Sequence, residues 1–440
     1  MFRSLTKIKD RDSDYGYWPL LVIFLICLFF RVYDLSNESI WLDEAFSIVR
    51  AKFDLSQILF RPENSPPLYY IILHGWINLF GDSEFSVRFP SVLFGSLSIL
   101  MMYKVGNQIF NKDVGVLSSL LLGVSVFHIR YSQEARTYSL SVFLTLLSMY
   151  FFIKLLRNTS YKGLFSYIIF SALLIYSHIY GLFIIISQNI YIIILFLFSE
   201  ETFEFNLKRW ILTQILLIIL FIPWASIFVT QTINVVQSGF WIPTPGLFSI
   251  MKSFITYSGS TLIFLLFMIL FPFSIISYEK ISGNFRRKNF FQSIEFFQWK
   301  IRLLNTDKIF LLLVWLLTPI ILPFIIYRLS TPIYFTKYTI VASLAFYLLV
   351  SKGISNIHYK YLKIIIVSVI IVFSMIYIWK YYTKINKEQW RDVAYYINTD
   401  ANDGDLILFN AGYTQLPFNY YSKRTDLIKK PFPKIGKQFN

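Results

Sequence analysis

The sequence predicts an all-α polytopic membrane protein. It should carry about eleven transmembrane helices, surface-lying helices in the first outer loop, and a small extracytoplasmic α/β segment at its C-terminal end. Three observations predict this. Of the 440 residues, 56% are hydrophobic and only 15% charged, where soluble domains carry roughly 25% charged residues. Apolar runs recur at about the 20-residue length that a helix needs to cross a bilayer. Lys and Arg gather in alternate loops, which is how cytoplasmic loops are marked. The formal net charge of +16 is therefore assigned to cytoplasmic loops, and no nucleic-acid partner is expected.

A basic start (Arg3, Lys7, Lys9, Arg11) precedes the apolar run 18–30. No small-residue cleavage site follows it, so it reads as an uncleaved first span rather than a signal peptide. Further spans fall near 88–109, 114–129, 137–156, 163–178, 180–198, 210–229, 253–277, 309–327, 336–351 and 362–381. Only Ser177-His178-Ile179-Tyr180-Gly181 separates the two runs of 163–198, which reads as a tight hairpin. The basic residues place the N-terminus in the cytoplasm and, with an odd span count, the C-terminal region outside. The protein is thus expected as a multi-pass component of the plasma membrane. The stretch 286–302 has apolar residues at helical spacing between basic flanks and reads as a helix on the cytoplasmic surface. Two outer regions exceed simple connectors. The loop 34–87 contains an apolar run, 68–80, too short to span. The segment 383–440 carries a helical stretch at 387–398, an Asp403-Gly404 turn and a strand candidate at 405–409. The division is a membrane domain over 1–382, which includes the long outer loop 34–87, and the small outer segment 383–440. Cys27 is the only cysteine, which excludes intrachain disulfides and thiolate metal sites.

Chemistry concentrates on the outer face. Asp43 and Glu44 lie in the first outer loop. Arg61, Glu63 and Arg88 follow, then Arg130, Glu134 and Arg136 at the second outer loop, His178 in the hairpin, and Arg328 and Lys337 at the last outer loop. Cations are disfavoured on this face, so their presence points to anionic partners, either protein carboxylates or a lipid phosphate. Structural readings stand beside this. Asp43-Glu44 suits the first turn of a helix, where carboxylates complement the dipole. Arg130, Glu134 and Arg136 suit an ion pair fixing two helix ends. His178 suits a hydrogen-bonded hairpin, and Lys337-Tyr338 an interfacial anchor.

The motifs Trp41-Leu42-Asp43-Glu44, Ser65-Pro66-Pro67-Leu68-Tyr69-Tyr70, Phe80-Gly81-Asp82-Ser83-Glu84-Phe85-Ser86-Val87-Arg88-Phe89-Pro90-Ser91 and Tyr131-Ser132-Gln133-Glu134-Ala135-Arg136-Thr137-Tyr138 occur in that order. Their series resembles the membrane glycosyltransferases of the GT-C class, nearest to protein O-mannosyltransferase-like (family 39) and aminoarabinose transferase-like enzymes. The resemblance continues through 177–181, Lys337-Tyr338 and Glu388-Gln389-Trp390-Arg391-Asp392-Val393.

The resemblance implies transfer of a sugar from a polyprenyl or dolichyl phosphate on the extracytoplasmic face, with inversion at the anomeric carbon. The acceptor would be a lipid, glycan or protein. It implies Asp43, Glu44 and Glu134 as catalytic carboxylates, with Asp43 the general base. Arg136, Lys337, Arg88 and Tyr338 would bind the donor phosphate, and Trp41, Tyr69, Tyr131 and His178 would line the sugar or acceptor pocket. Lys337-Tyr338 departs from the family's Arg-Tyr, keeping the charge while losing the bidentate fork. No cofactor is required, because a cation can stabilise the leaving phosphate, although Asp43, Glu44, Glu134 and His178 could also ligate a divalent ion. The competing class is a transporter or flippase of lipid-linked anionic sugars. It would need midplane charges or broken helices, and neither is apparent in the sequence.

Overall fold

A computed structural model describes residues 16–61, 65–157, 160–198, 206–238, 242–280, 299–303 and 306–432. The chain is mostly helical, at 77%. The first helix, α1 (Trp18–Val32), opens with Pro19 in its first turn, where the missing N–H is no loss. Three short helices fill the first outer loop: α2 (Leu42–Ala51), α3 (Leu55–Phe60) and α4 (Leu68–Phe80). The 13-residue α4 is only about 20 Å long, well short of a ~30 Å hydrocarbon core.

There follow α5 (Glu84–Ile109), α6 (Lys112–Gly123), α7 (Val126–Ser132), α8 (Tyr138–Arg157), α9 (Tyr161–Ser177), α10 (Gly181–Phe198), α11 (Leu207–Ser238), α12 (Leu247–Ser258) and α13 (Thr261–Leu270). Strands β1 (Ile276–Lys280) and β2 (Trp299–Leu303) pair antiparallel. The long helices resume with α14 (Thr306–Leu329), α15 (Ile340–Asn356) and α16 (Lys360–Thr383). The C-terminal segment holds α17 (Trp390–Asp400), β3 (Leu406–Asn410), α18 (Gln415–Tyr421) and β4 (Ile428–Phe432), with β3 and β4 parallel.

Six of these helices are long and apolar enough to cross a membrane, or up to eight if the bent pairs α6–α7 and α12–α13 each make one span. The protein is therefore a multi-pass membrane protein. Helices α1, α9 and α15 occupy expected span positions but are shorter, at 15, 17 and 17 residues. Of the expected surface helix, 286–298 lies outside the described residues, and 299–302 belongs to strand β2 instead. Residues 1–15, with their four basic side chains, and Glu63 also lie outside.

The bundle closes around α15, which is buried continuously from Ile340 to Ile354. Small residues set the closest approaches. A Cβ on Gly106 of α5 would meet the Cα of Gly115 on α6 at 2.9 Å, the kind of contact that lets membrane helices pack without a hydrophobic drive.

Two spans expected to be continuous are broken: α6–α7 bends by 63° and α12–α13 by 93°. The second bend sits at Gly259, whose φ of 81° suits glycine alone. Both breaks are satisfied within the protein. The Arg31 guanidinium donates to the carbonyls of Gly123 and Leu122 at 3.1 and 3.3 Å, capping the end of α6. Ser125 Oγ is 2.9 Å from the Tyr347 hydroxyl, which donates to the Tyr257 carbonyl at 2.7 Å. One tyrosine of α15 thus joins both breaks. Non-helical backbone within a membrane bundle is tolerated when buried in protein.

Candidate active site

Residues from the start of α5, the α7–α8 loop, the α9–α10 turn and the segment before α15 meet α2 and one another at one end of the bundle. Helix α2 starts at Trp41 in extended backbone, with Asp43 and Glu44 in its first turn. Adjacent helical residues point about 100° apart, and the two carboxylates meet different surroundings.

Glu44 faces inward and is fully buried. Its Oε1 accepts from Arg88 Nε at 2.8 Å and from the Ala135 amide at 3.0 Å. Its Oε2 accepts from Arg88 Nη2 at 2.8 Å and Lys387 Nζ at 3.2 Å. Burial pushes this carboxyl up, but Arg88 and Lys387 outweigh it and bring its pKa down to about 2. Arg88 is 1% exposed. Its remaining N–H groups go to the carbonyls of Leu35, Glu38 and Ser39 at 2.7, 2.8 and 3.0 Å. All five guanidinium donors are thereby used, so Arg88 has none left for a donor phosphate, and Glu44 has no open face for substrate. Sequence reasoning set both at the chemistry; the rotation of α2 sets them in the support.

Asp43 faces outward and stays 27% exposed. Its Oδ2 accepts from Lys337 Nζ at 3.1 Å and lies 4.0 Å from Arg136 Nε. No donor among the described residues bonds Oδ1. Burial raises this carboxyl, yet Arg136 and Lys337 together hold it below the usual carboxylate range. Arg136 is fixed through Nη1, which donates to the Asp43 carbonyl at 3.1 Å and to Ser47 Oγ at 3.2 Å.

Aromatic rings wall this group. Lys337 Nζ lies 5.8 Å from the rings of Trp41, Tyr138 and Tyr338, and Tyr131 meets Tyr138 edge-on at 4.8 Å. His178 packs 5.2 Å from Tyr338. Its Nδ1 accepts the Tyr180 amide at 3.1 Å, leaving Nε2 as the protonated nitrogen of the neutral ring. Burial first, then Arg136 and Lys337, lower its pKa to about 3. Tyr69 is not on this wall: it is buried, with its hydroxyl 2.9 Å from Ser91 Oγ.

Glu134 is buried, with Oε1 3.3 Å from Arg130 Nε and Oε2 without a partner. Burial raises its pKa against the pull of Lys387 and Arg130. The buried Trp41 indole N–H likewise lacks an acceptor. Unsatisfied buried polar atoms are costly, and these two leave hydrogen bonds for a polar ligand to complete. Among the described residues no three His, Cys, Asp or Glu side chains form a metal-binding group.

Lys387 and the contacts of the C-terminal segment with the first loop are the parts sequence reasoning missed. Lys387 joins Glu44 to the Gln133 carbonyl, at 3.4 Å. Arg391 Nε donates to Glu84 at 3.1 Å, Tyr420 donates to the Asp82 carbonyl at 2.6 Å, and the Tyr421 hydroxyl accepts the Ile40 amide at 2.7 Å. The segment after α16 is thus clamped onto the α4–α5 junction and onto the residue just ahead of Trp41. A cation directly after the last span, on a face where cations are disfavoured, was the available signal for Lys387.

The chain is similar to known proteins in part of its sequence and in its fold. Residues 64–227 match the family model of dolichyl-phosphate-mannose-protein mannosyltransferase, a stretch that includes Glu134, Arg136 and His178. No curated protein matches in sequence. The structure of ArnT from Cupriavidus metallidurans bound to undecaprenyl phosphate superposes with TM-score 0.62 at 10% identity, covering 94% of this chain and 86% of that one. Its apo form gives 0.54 at 12% identity over 77% and 60%. The archaeal oligosaccharyltransferase AglB from Archaeoglobus fulgidus, in complex with an inhibitory peptide and a dolichol-phosphate, gives 0.51 at 11% over 96% and 61%. This chain therefore spans about three fifths of the length of the last two. Over 64–227 the sequence is thus similar to that mannosyltransferase family, and over nearly the whole chain the fold is the one seen in ArnT and AglB.

Proposed function

We propose that this protein transfers a sugar from a polyprenyl- or dolichyl-phosphate donor to a lipid, glycan or protein acceptor at the outer membrane surface, with inversion. The observation that carries the reading is Asp43: one carboxylate oxygen is held by Lys337 and Arg136, and the other is open. Relatives of the same fold hold undecaprenyl phosphate and dolichol-phosphate, which supports a lipid-phosphate donor here.

In this mechanism the acceptor hydroxyl sits on Asp43 Oδ1. Its oxygen bonds the anomeric carbon as the bond from that carbon to the phosphate oxygen breaks. The proton passes to Asp43, and the electron pair leaves on the lipid phosphate. A single displacement inverts the centre. The depressed pKa keeps Asp43 ionised, which also stabilises the cationic sugar in the transition state. Lys337 and Arg136 neutralise the charge growing on the phosphate. As Lys337 turns toward it, Asp43 loses a stabilising partner and becomes the stronger base. Glu134 and Trp41 supply hydrogen bonds to the sugar, and neutral His178 with Tyr131 and Tyr338 shapes the pocket. Glu44 and Arg88 build the site without touching substrate.

The finer topology belongs to the same proposal: eleven spans over 1–382, the N-terminus in the cytoplasm, and 383–440 as an outer segment bracing the catalytic loop, in the plasma membrane. The test is single-turnover transfer from a labelled polyprenyl-phosphate sugar by the purified full chain. Failure to consume any such donor under conditions where it binds would overturn the reading.

A further inference from the structure

The end of the bundle opposite Asp43 carries a second feature. A cavity of about 250 Å³ opens between the starts of α1, α6 and α16 and the ends of α5 and α15. Its wall is apolar, with Leu20, Val116 and Leu117. Lys112, Lys363 and Ser355 also line it, together with the acidic Asp113. Lys363 Nζ donates to the Ser355 carbonyl at 2.7 Å, which leaves two of its three N–H groups. Behind them, Lys352 and Lys308 set their ammonium groups 5.3 and 5.9 Å from the Phe110 ring, two residues ahead of Lys112. Both lysines are buried, at 8% and 5% exposure. Lys352 lies in the fields of Lys308 and Lys363, and Lys308 in that of Arg157. Among the described residues, five cations thus gather here against Asp113 and Asp307. Such a cluster is stabilised by an anion.

The surroundings identify the source of that anion. Tyr17, Trp18, Tyr161, Tyr359 and Tyr361 are all 73% exposed or more at this end of their helices. Exposed Trp and Tyr of a membrane protein mark the headgroup plane, so the cavity lies at headgroup depth. Leu21 and Leu25 of α1 are exposed just beyond it, an apolar surface continuous with its wall. At about 250 Å³ the cavity is smaller than the ~300–1,000 Å³ of sites for drug-sized ligands. It fits a headgroup and the first carbons behind it.

We infer that this cavity binds the phosphodiester headgroup of an anionic phospholipid, with the phosphate on Lys112 and Lys363 and the glycerol and first acyl carbons on Leu20, Val116 and Leu117. Basic pockets between membrane helices take anionic headgroups in this way. The site is separate from the proposed transfer chemistry, and its test needs no turnover.

The test is native mass spectrometry of the full chain released from detergent containing equal phosphatidylglycerol and phosphatidylcholine. One phosphatidylglycerol should be retained in preference. The double variant Lys112→Ala with Lys363→Ala should reduce that preference at least fivefold. Leu117→Trp, which fills the apolar part and leaves the charge unchanged, should do the same; it decides the matter if the double variant does not fold. Equal retention of the two lipids, or unchanged preference in folded Leu117→Trp, overturns the proposal. Displacement by soluble glycerophosphoglycerol as effectively as by phosphatidylglycerol overturns the lipid assignment, since the acyl contacts would then contribute nothing.

Discussion

Replacing Asp43 by Asn and, separately, Glu44 by Gln should divide chemistry from architecture between two neighbouring residues. The Asp43→Asn change keeps the size of the side chain and one acceptor for Lys337, but loses the charge and the basic lone pair. The Asp43 side chain is 27% exposed and its ion pairs lie 3.1 and 4.0 Å away. Pairs this accessible contribute about 0–1 kcal/mol to stability, so the melting temperature should barely move. Loss of a general base typically costs 10²–10⁴ in rate, so turnover should fall by ~100-fold or more, about 2.7 kcal/mol. Glu44 reverses the ratio. It is fully buried in a two-pronged pair with Arg88 and also bonds Lys387 and the Ala135 amide. Removing one partner of a buried pair costs roughly 3–5 kcal/mol, and the variant should melt lower or express poorly. The assay pairs single-turnover sugar transfer with thermal melting of each purified variant. An Asp43→Asn protein with near-parent turnover would refute the assignment. A Glu44→Gln protein that melts like the parent and is inactive would move the base to Glu44.

Arg136→Ala should weaken use of the lipid-phosphate donor, seen as a raised KM in the transfer assay, and leave the bundle folded; parent-level KM and kcat would remove it from the phosphate site. Acid should destabilise the protein. Asp43 and Glu44 both have folded pKa values below their ordinary ones. Their stabilisation is full above the unfolded carboxylate pKa of about 4 and is lost as pH falls toward the folded values, Glu44's being about 2. Melting from pH 6 to pH 3 should show the loss, and Glu44→Gln should flatten it; an unchanged slope would contradict the linkage. Reporter fusions at Asn284 and Asn402 should report the cytoplasm and the exterior respectively, and both on one side would refute the topology.

The membrane class and the short helices of the first long loop were legible because both follow from local pattern: apolar runs of spanning length, and a run too short to span in the loop after the first of them. Which carboxylate faces the opening was not local. It depends on the rotation of α2, which is set by Arg88 some forty residues later and by Lys387 far beyond. Arg88 looked like a phosphate ligand because a cation on the outer face implies an anion; the anion is Glu44. The span breaks did leave marks, Gly123-Val124-Ser125 and Gly259-Ser260, but inside apolar runs a glycine reads equally as helix packing. Only the cap from Arg31 and the shared contact with Tyr347 show that these two chain segments turn.

The pairing of a buried and an open carboxylate on one helical turn has a consequence for how the site works. Glu44 ties α2 to α5 through Arg88, to the 133–137 loop through the Ala135 amide, and to the segment after α16 through Lys387. Arg136 follows Ala135 directly and reaches back to the Asp43 carbonyl and Ser47. The distance between the proposed base and the proposed phosphate ligand is therefore fixed by the fold before substrate arrives. A preorganised arrangement of this kind avoids reorganisation at the moment of reaction. Lys337 comes from a different segment, just before α15, and its link to Asp43 is one 3.1 Å contact. Arg136 is tied to the α2 backbone and, among the described residues, Lys337 is not, so Lys337 is the partner proposed to turn to a donor phosphate. On this reasoning Lys337→Ala should perturb turnover more than stability, whereas Lys387→Ala, which removes a buried brace of Glu44, should perturb stability first. Transfer rates and melting temperatures measured side by side would show that order, and the opposite order would assign the mobile and fixed roles the other way round.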